Sequence, residues 1–533
     1  MRKQTNERLF LGIDSSTQSL KAIAVDAQLN VVHESAVSFD ADLPEFGTSG
    51  GAHRGEDGLT VTAPPVMWVA ALDLLLERMR AAGFAFGRLA AISGSGQQHG
   101  SVYWNRTARR ALGSLKPEGT LRDQLAGAFA VDASPIWMDS STAKQCAERE
   151  AALGGAQAVA DLTGSRAFER FTVNQIAKIF QENPAGYRAS ERIGLVSSFV
   201  ASVFRGDYAP IDVSDGSGMN LMDVRKKQWD RRALDVTAPE LEAKLGSLVP
   251  SHTVLGPVHA FFTRKYGVAA ECVVVAFTGD NPNSLAGLRL EHAGDVAISL
   301  GTSDTVFGSL KEAKPSATEG HIFANPVDPD GYMAMICYKN GSLTREDIRD
   351  KCSGASWVEF SRVLERTAPG NGGKIGFYIK DPEITPPILK TGVHRFDEGG
   401  HRVAAFAPEA DVRAVVEGQF LSMRVHGGHI GIQPLRIMAT GGASANAAII
   451  KVMADVFGVP VFTGDQPNSA ALGAAYRALH GFTCAQEQHF IPFADAVKGK
   501  GAFHQAAEPD AAAHRIYTDM LGRYASLERQ VTG

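Results

Sequence analysis

No two cysteines of this chain lie close enough in sequence to make a metal knuckle or a redox pair. The five, Cys146, Cys272, Cys337, Cys352 and Cys484, are scattered over 533 residues, odd in number and in no Cys-x-x-Cys arrangement. They read as reduced thiols of a cytoplasmic protein, not as staples or zinc ligands. No apolar run is long enough to span a bilayer. The polar start, residues 1–7, carries no secretory apolar segment, so no membrane is expected as a partner. Basic charge is not in excess either. The net charge of −5 and isoelectric point of about 6.3 argue against a nucleic-acid surface. Low-complexity segments and charge runs are lacking.

Glycine is plentiful, with 55 residues gathered at the ends of apolar runs. That pattern suits tight turns around a ligand cleft. Hydrophobic content of 44% and charged content of 21% are ordinary for a soluble globular chain. The length is too great for one core and implies two to four domains.

The most informative stretch is Ala-Phe-Thr-Gly-Asp-Asn-Pro-Asn-Ser-Leu-Ala-Gly at 276–287. An apolar strand over 273–277 gives way to a turn at Gly279, then a helix. Asp280 and Asn281 are left at the strand's carboxyl end, where open α/β sheets bind ligands. A carboxylate beside a carboxamide can take a proton from a substrate hydroxyl and hold its neighbour. Helix N-capping is the alternative use of the same pair.

Two β-turn-β units punctuate the chain. In the first, a strand at 9–13 and one at 20–25 flank Asp-Ser-Ser-Thr-Gln-Ser at 14–19, and a third strand starts at Val31. In the second, apolar runs flank Gly-Thr-Ser-Asp at 301–304. Such tips can wrap phosphate oxygens, and Asp14 suits a hydrated Mg²⁺; a plain surface hairpin is the alternative. Their recurrence predicts a duplicated domain with a boundary at 287–294. Between them, a strand at 89–93 empties into Gly-Ser-Gly-Gln-Gln-His-Gly at 94–100, able to bind sugar hydroxyls, with His99 otherwise a core histidine. Arg166 and Arg170 sit on a loop that leads into a helix at 173–181, either at a site or on the surface. Asp212 and Asp215 either orient the site or make Asx turns. Further on, strand 435–440, Gly441-Gly442 and a helix from about 443 to 457 let a flat ring or phosphate approach the backbone, which is also ordinary α/β packing. A strand is expected at 134–139 and a surface helix at 506–528.

Together these residues resemble the FGGY carbohydrate kinase family. The resemblance spans nearly the whole chain. It rests on Gly-Ile-Asp-Ser-Ser-Thr at 12–17, Gln-Gln-His-Gly at 97–100, Trp-Met-Asp-Ser-Ser-Thr at 137–142 and Asp-Val-Ser-Asp-Gly-Ser-Gly-Met-Asn at 212–220. Phe-Thr-Gly-Asp-Asn at 277–281, Ser-Leu-Gly-Thr-Ser at 299–303 and Thr-Gly-Gly-Ala-Ser at 440–444 complete it. Within the family these strings look closest to its vertebrate-type xylulokinase branch. Two positions depart: Ser141 stands where many bacterial relatives have Arg, and Gln98 replaces a commoner methionine.

The resemblance implies an α/β fold of two actin/hexokinase-like (ribonuclease H-like) domains facing each other across a catalytic cleft. Residues 1–288 would carry the sugar site and the first phosphate hairpin, and 289–533 the second hairpin and the adenosine site. It implies ATP-dependent phosphorylation of D-xylulose to D-xylulose 5-phosphate, or the same transfer to another ketose, a polyol or a sugar acid. A catalytically inactive sugar and nucleotide sensor is a remote alternative. Asp280 would be the general base. His99, Arg170, Asp280 and Asn281 would hold the ketose, and Asp14 Mg²⁺ through water. Thr17, Gly301, Thr302 and Ser303 would cradle phosphates, while Gly441, Gly442, Asn446 and Trp357 would border adenine. The partners implied are the small-molecule sugar and ATP, on a monomer or homodimer.

Overall fold

The first hairpin consists of antiparallel strands Leu9–Ser15 and Ser19–Asp26, and Val31–Ser38 adds to its outer edge. Every residue of Leu9–Ser15 is buried, as in a strand covered on both faces. The computed structural model describes residues 8–464, 468–499 and 503–532; the polar start at 1–7 lies outside them. The chain divides into two units. One comprises Met1–Glu291, Phe323–Asp330 and Pro467–Lys500, the other His292–Ile322, Gly331–Gln466 and Gly501–Gly533. A single cut between 288 and 289 therefore does not describe it.

In the first unit the strands run in the order Val254–Pro257, Val273–Val275, Leu89–Gly96, Leu9–Ser15, Ser19–Asp26, Val31–Ser38. Leu89–Gly96 is parallel to both of its neighbours, and the outer pairs are antiparallel. The helix Pro65–Ala81 buries Trp68, Leu72, Leu75 and Met79, the stripe its spacing predicts. A smaller core around Phe171, Ile176, Leu221 and Leu234 supports the segment that follows the Arg170 loop.

The helix Ser469–Glu487 returns to this unit because small residues let its backbone lie on the sheet. A Cβ on Gly12 would sit 2.0 Å from the Ala471 carbonyl oxygen. One on Gly473 would sit 1.8 Å from that of Asn283, in the helix Asp280–Gly287. No side chain fits at either place.

In the second unit, Tyr332–Tyr338, Asp304–Leu310, Asp295–Leu300, Arg436–Thr440, Val461–Thr463 and His504–Ala507 are neighbours in that order. The senses repeat those of the first sheet read from its Val31–Ser38 end: antiparallel, antiparallel, parallel, parallel, antiparallel. The paired hairpins thus belong to two sheets of one topology, as their recurrence predicts.

Three local expectations change. Only Ser134–Pro135 of the 134–139 run is a strand, because Asp139 turns back to accept the Val61 and Ser141 N–H groups at 2.9 Å. The polar run at 211–218 contains a short helix, Val213–Ser217, capped by Asp212. The final helix, Ala511–Thr532, is packed along one face, not superficial. Tyr517 is fully buried, accepts from Arg413 Nη2 and donates to Glu417 Oε1, both at 2.7 Å. Its apolar positions 513, 517, 520, 524, 527 and 531 already follow helical spacing. Among the described residues no helix is long and apolar enough to cross a membrane.

Candidate active site

Three strand ends meet at one edge of the first sheet. Ser95 pairs with Asp14 on one side and with Thr278 on the other. Residues 97–99 and 280–281 follow directly. This register places Asp14 and Asp280 at neighbouring strand termini, where the sheet leaves a crevice.

Asp280 opens the helix Asp280–Gly287, whose N-cap is Gly279, so the carboxylate is not the cap. Its Oδ1 accepts the Asn281 N–H at 2.9 Å and the Gln98 N–H at 3.3 Å. Burial, and next the charge of Asp14, raise its pKa to about 7. Asn281 Nδ2 donates to Gln98 Oε1 at 2.9 Å, which orients the Gln98 amide. Asp14 is buried, and burial raises its pKa too, although the Ser95 hydroxyl donates to it at 2.7 Å and Ser16 also donates. Asp215 lies close by, with Ser197 donating to its Oδ2; burial pushes its pKa well above the usual range. Gln98 Nε2, both side-chain polar atoms of Gln97 and Asp215 Oδ1 are buried with no hydrogen-bond partner among the described residues. Such a concentration at one strand edge fits a polyhydroxylated ligand better than a packed core.

His99 is held in the left-handed region (φ 69°), and its ring lies 4.7 Å from that of Phe171. The Gly218 carbonyl can only accept, so the 3.0 Å contact puts the proton on Nδ1 and leaves Nε2 as an acceptor. Burial, then the Arg170 charge, lowers its pKa to about 3, so the ring is neutral. Arg170 lies over Phe168 and Phe171, 5.1 and 5.7 Å from their centroids. Thr17, at the hairpin tip, accepts from Trp137 Nε1 at 2.8 Å.

The second unit carries a cavity of about 790 Å³, a volume suited to a nucleotide-sized ligand. Gly301, Thr302, Trp357, Gly442 and Asn446 line it; Ser303 and Gly441 do not. Gly441 (φ 82°) is structural, since a Cβ there would meet the Leu300 carbonyl oxygen at 2.5 Å, whereas one on Gly442 meets nothing within 4 Å. Asn446 caps the helix Ala447–Phe457 by accepting the Ile449 N–H at 3.1 Å and donates to Ser361 Oγ at 2.9 Å. Its amide is thus engaged with protein. Arg349 lies over the Trp357 ring at 4.7 Å. The 301–303 turn is pinned from behind, where Ser342 N–H donates to the Gly301 carbonyl at 2.8 Å.

Residues 130–287 match the N-terminal domain, and 296–482 the C-terminal domain, of the FGGY family of carbohydrate kinases. The chain is 53% identical to the xylulose kinase of Rattus norvegicus, over 100% of its own length and 98% of that protein. The chain belongs to the FGGY family of carbohydrate kinases. Xylulose kinase 2 of Arabidopsis thaliana is 50% identical over 93% of this chain and 91% of its own. Among solved structures, the xylulose kinase of Rhodospirillum rubrum shares the fold, with a TM-score of 0.80 at 18% identity over 98% and 99% of the two chains.

Several residues of this FGGY kinase escape sequence reasoning. Arg477 is buried beneath the site, where it donates to Asn283 Oδ1 (3.1 Å) and to the Ser251 and Ala276 carbonyls (2.7 and 3.0 Å). No local motif marks it. Asp215, which the sequence allows either to orient the site or to make an Asx turn, lies beside Gln98 and Asp280. Ser141, in the place of an arginine, is bound to Asp139 and accepts from Lys178 at 2.7 Å.

Proposed function

We propose that this kinase transfers the γ-phosphoryl group of ATP to the terminal hydroxyl of D-xylulose, giving D-xylulose 5-phosphate. The reading rests on the Asp280 carboxylate: half-buried, of pKa about 7, oriented by two main-chain N–H groups and flanked by side chains with unused hydrogen-bonding capacity. A base poised near neutral pH deprotonates an alcohol as its oxygen attacks phosphorus in line. The full-length likeness to xylulose kinases supports the choice of ketose.

His99 Nε2 accepts from one sugar hydroxyl, Asn281 and Arg170 donate to others, and Asp280 faces the hydroxyl that reacts. Gly301, Thr302 and Ser303 offer N–H and hydroxyl donors to the phosphates, as does Thr17. Gly442 gives the adenine ring an open backbone face beside Trp357, while Gly441 and Asn446 fix that segment. Asp14, buried, and Asp280, half-buried, are carboxylates with no cation among their hydrogen-bond partners, a pair that suits Mg²⁺ held through water at Asp14. Bound there, Mg²⁺ supplies neutralisation of the phosphate charge.

An assay coupled to ADP release, run over a panel of ketoses, polyols and sugar acids, tests the reading. D-xylulose should give the highest kcat/KM. Faster turnover of ribulose or a polyol would reassign the substrate and leave the kinase chemistry standing.

A further inference from the structure

The second unit carries a cluster that phosphoryl transfer does not use. His426 and His429 lie three residues apart on the last turn of the helix Pro408–His429, hence on one face. Glu319, from the loop before the strand His321–Ala324, reaches both. Its Oε1 is 3.0 Å from His429 Nδ1 and 3.6 Å from His426 Nδ1. One donor atom from each residue lies within 4.8 Å of the other two. None of the three lines the nucleotide cavity.

We propose that Glu319, His426 and His429 bind a borderline divalent cation, Zn²⁺ first among them. The argument turns on His426, which is 4% exposed. Glu528 Oε2 contacts its Nε2 at 2.9 Å. That carboxylate can only accept, so Nε2 carries a proton, and a singly protonated ring then turns its Nδ1 lone pair to Glu319. Against the cost of burial, Glu319 and Glu528 raise the ring's pKa to about 9, and the second proton they favour would sit where the metal would. Nδ1 has no hydrogen-bond partner among the described residues. A lone pair on the buried His426 ring and an oxygen of the half-buried Glu319, face to face, call for a positive charge between them, a proton or a metal ion.

The surroundings fit a metal better than a proton alone. A carboxylate on the far nitrogen of a ligating histidine is the usual outer-shell arrangement, and Glu528 supplies it. Glu319 Oε2 is occupied by the Ser316 hydroxyl and by Thr318 Oγ1, the latter at 2.6 Å, which leaves Oε1 for the histidines. Tetrahedral zinc with bonds of about 2.0–2.2 Å separates its ligand atoms by about 3.3 Å, between the two Glu319 distances. His429 is half-exposed and leaves the fourth position to water. Two imidazoles disfavour Mg²⁺, which prefers oxygen. The ion would fasten the 311–320 loop and, through Glu528, the final helix to the end of the long one.

Titration calorimetry of the chelator-treated full chain with Zn²⁺ alone, without nucleotide, tests this. Co²⁺ absorption serves as an optical check. One equivalent should bind, with tetrahedral Co²⁺ bands. H429Q, at a half-exposed position, should keep the fold and lose the bands. E528Q should weaken binding by about 10–100-fold, the cost of removing an outer-shell partner. Failure of the wild-type chain to bind would overturn the site and leave His426 as a proton-bridged core histidine. Unchanged uptake in H429Q would overturn it as well.

Discussion

The Gln98 main-chain N–H donates to Asp280 Oδ1 at 3.3 Å across 182 residues of chain. The base is therefore aimed by the segment that also carries His99. This contact does not depend on charge, because a carboxamide oxygen accepts it equally well. Asp280→Asn should lower kcat by about 10²–10⁴-fold, the usual worth of a positioned base, and leave the sugar Kd within about tenfold. Rate measurements beside calorimetry check this; a near-normal rate would remove Asp280 from the base role.

The pH dependence follows from the Asp280 pKa of about 7, which burial and the Asp14 charge set. Below that value the carboxyl holds its proton and cannot take another. The kcat/KM profile should therefore climb between about pH 6 and pH 8, since it reports the free enzyme. His99, with a pKa lowered to about 3, stays neutral throughout and adds no limb. A profile flat over this range would show that the base ionises well below neutrality.

The same raised pKa values act on stability with the opposite sign. Asp14 and Asp280 hold protons in the folded state that the unfolded chain would release. Their contribution is complete below the unfolded value and is lost as pH rises through the folded one. A cation beside the ionised pair offsets that loss. Mg²⁺ should thus raise the thermal midpoint more at about pH 8 than at about pH 6. Asp14→Asn should abolish the difference and raise KM for Mg·ATP more than KM for sugar. Calorimetric melts with and without Mg²⁺, beside steady-state kinetics, decide it.

That Asp14, His99, Asp280 and Asn281 lie at or just past strand ends was legible, because strand ends are readable from apolar runs broken by glycine. The shared topology of the sheets was legible through the repeated hairpin. Arg477 was not, because its partners Ser251, Ala276 and Asn283 come from elsewhere in the chain. The division of the chain was hidden for a related reason. Nothing local says that the helix Ser469–Glu487 rests on Gly12, and only the absence of a Cβ permits it. Asp215 resisted because an Asx turn and a ligand contact use the same side chain. The buried, unpartnered Oδ1 supplies what sequence could not.

Gly473 sets helix propensity against packing. Alanine in a helix interior is favoured over glycine by about 1 kcal/mol. Here its Cβ would lie 1.8 Å from the Asn283 carbonyl oxygen, in the helix that begins with Asp280. Overpacking of this kind costs about 1–3 kcal/mol and cannot be relieved by a rotamer, since the obstacle is backbone. Gly473→Ala should therefore destabilise in urea melts and reduce kcat by displacing Asp280. A stabilised variant would mean that the two helices separate readily.

Gly441 and Gly442 are adjacent and answer different demands, so substitution separates structure from binding. At Gly441 the positive φ and the Leu300 carbonyl at 2.5 Å make any side chain a folding defect. At Gly442 a Cβ meets nothing within 4 Å and points into space the cavity leaves open. Gly442→Leu should keep the wild-type thermal midpoint and sugar KM while filling the place proposed for adenine. KM for ATP should then rise by about tenfold or more, since a bulky group in a ligand pocket excludes the ring outright. Unchanged ATP affinity in a well-folded Gly442→Leu would place the base elsewhere than over this turn.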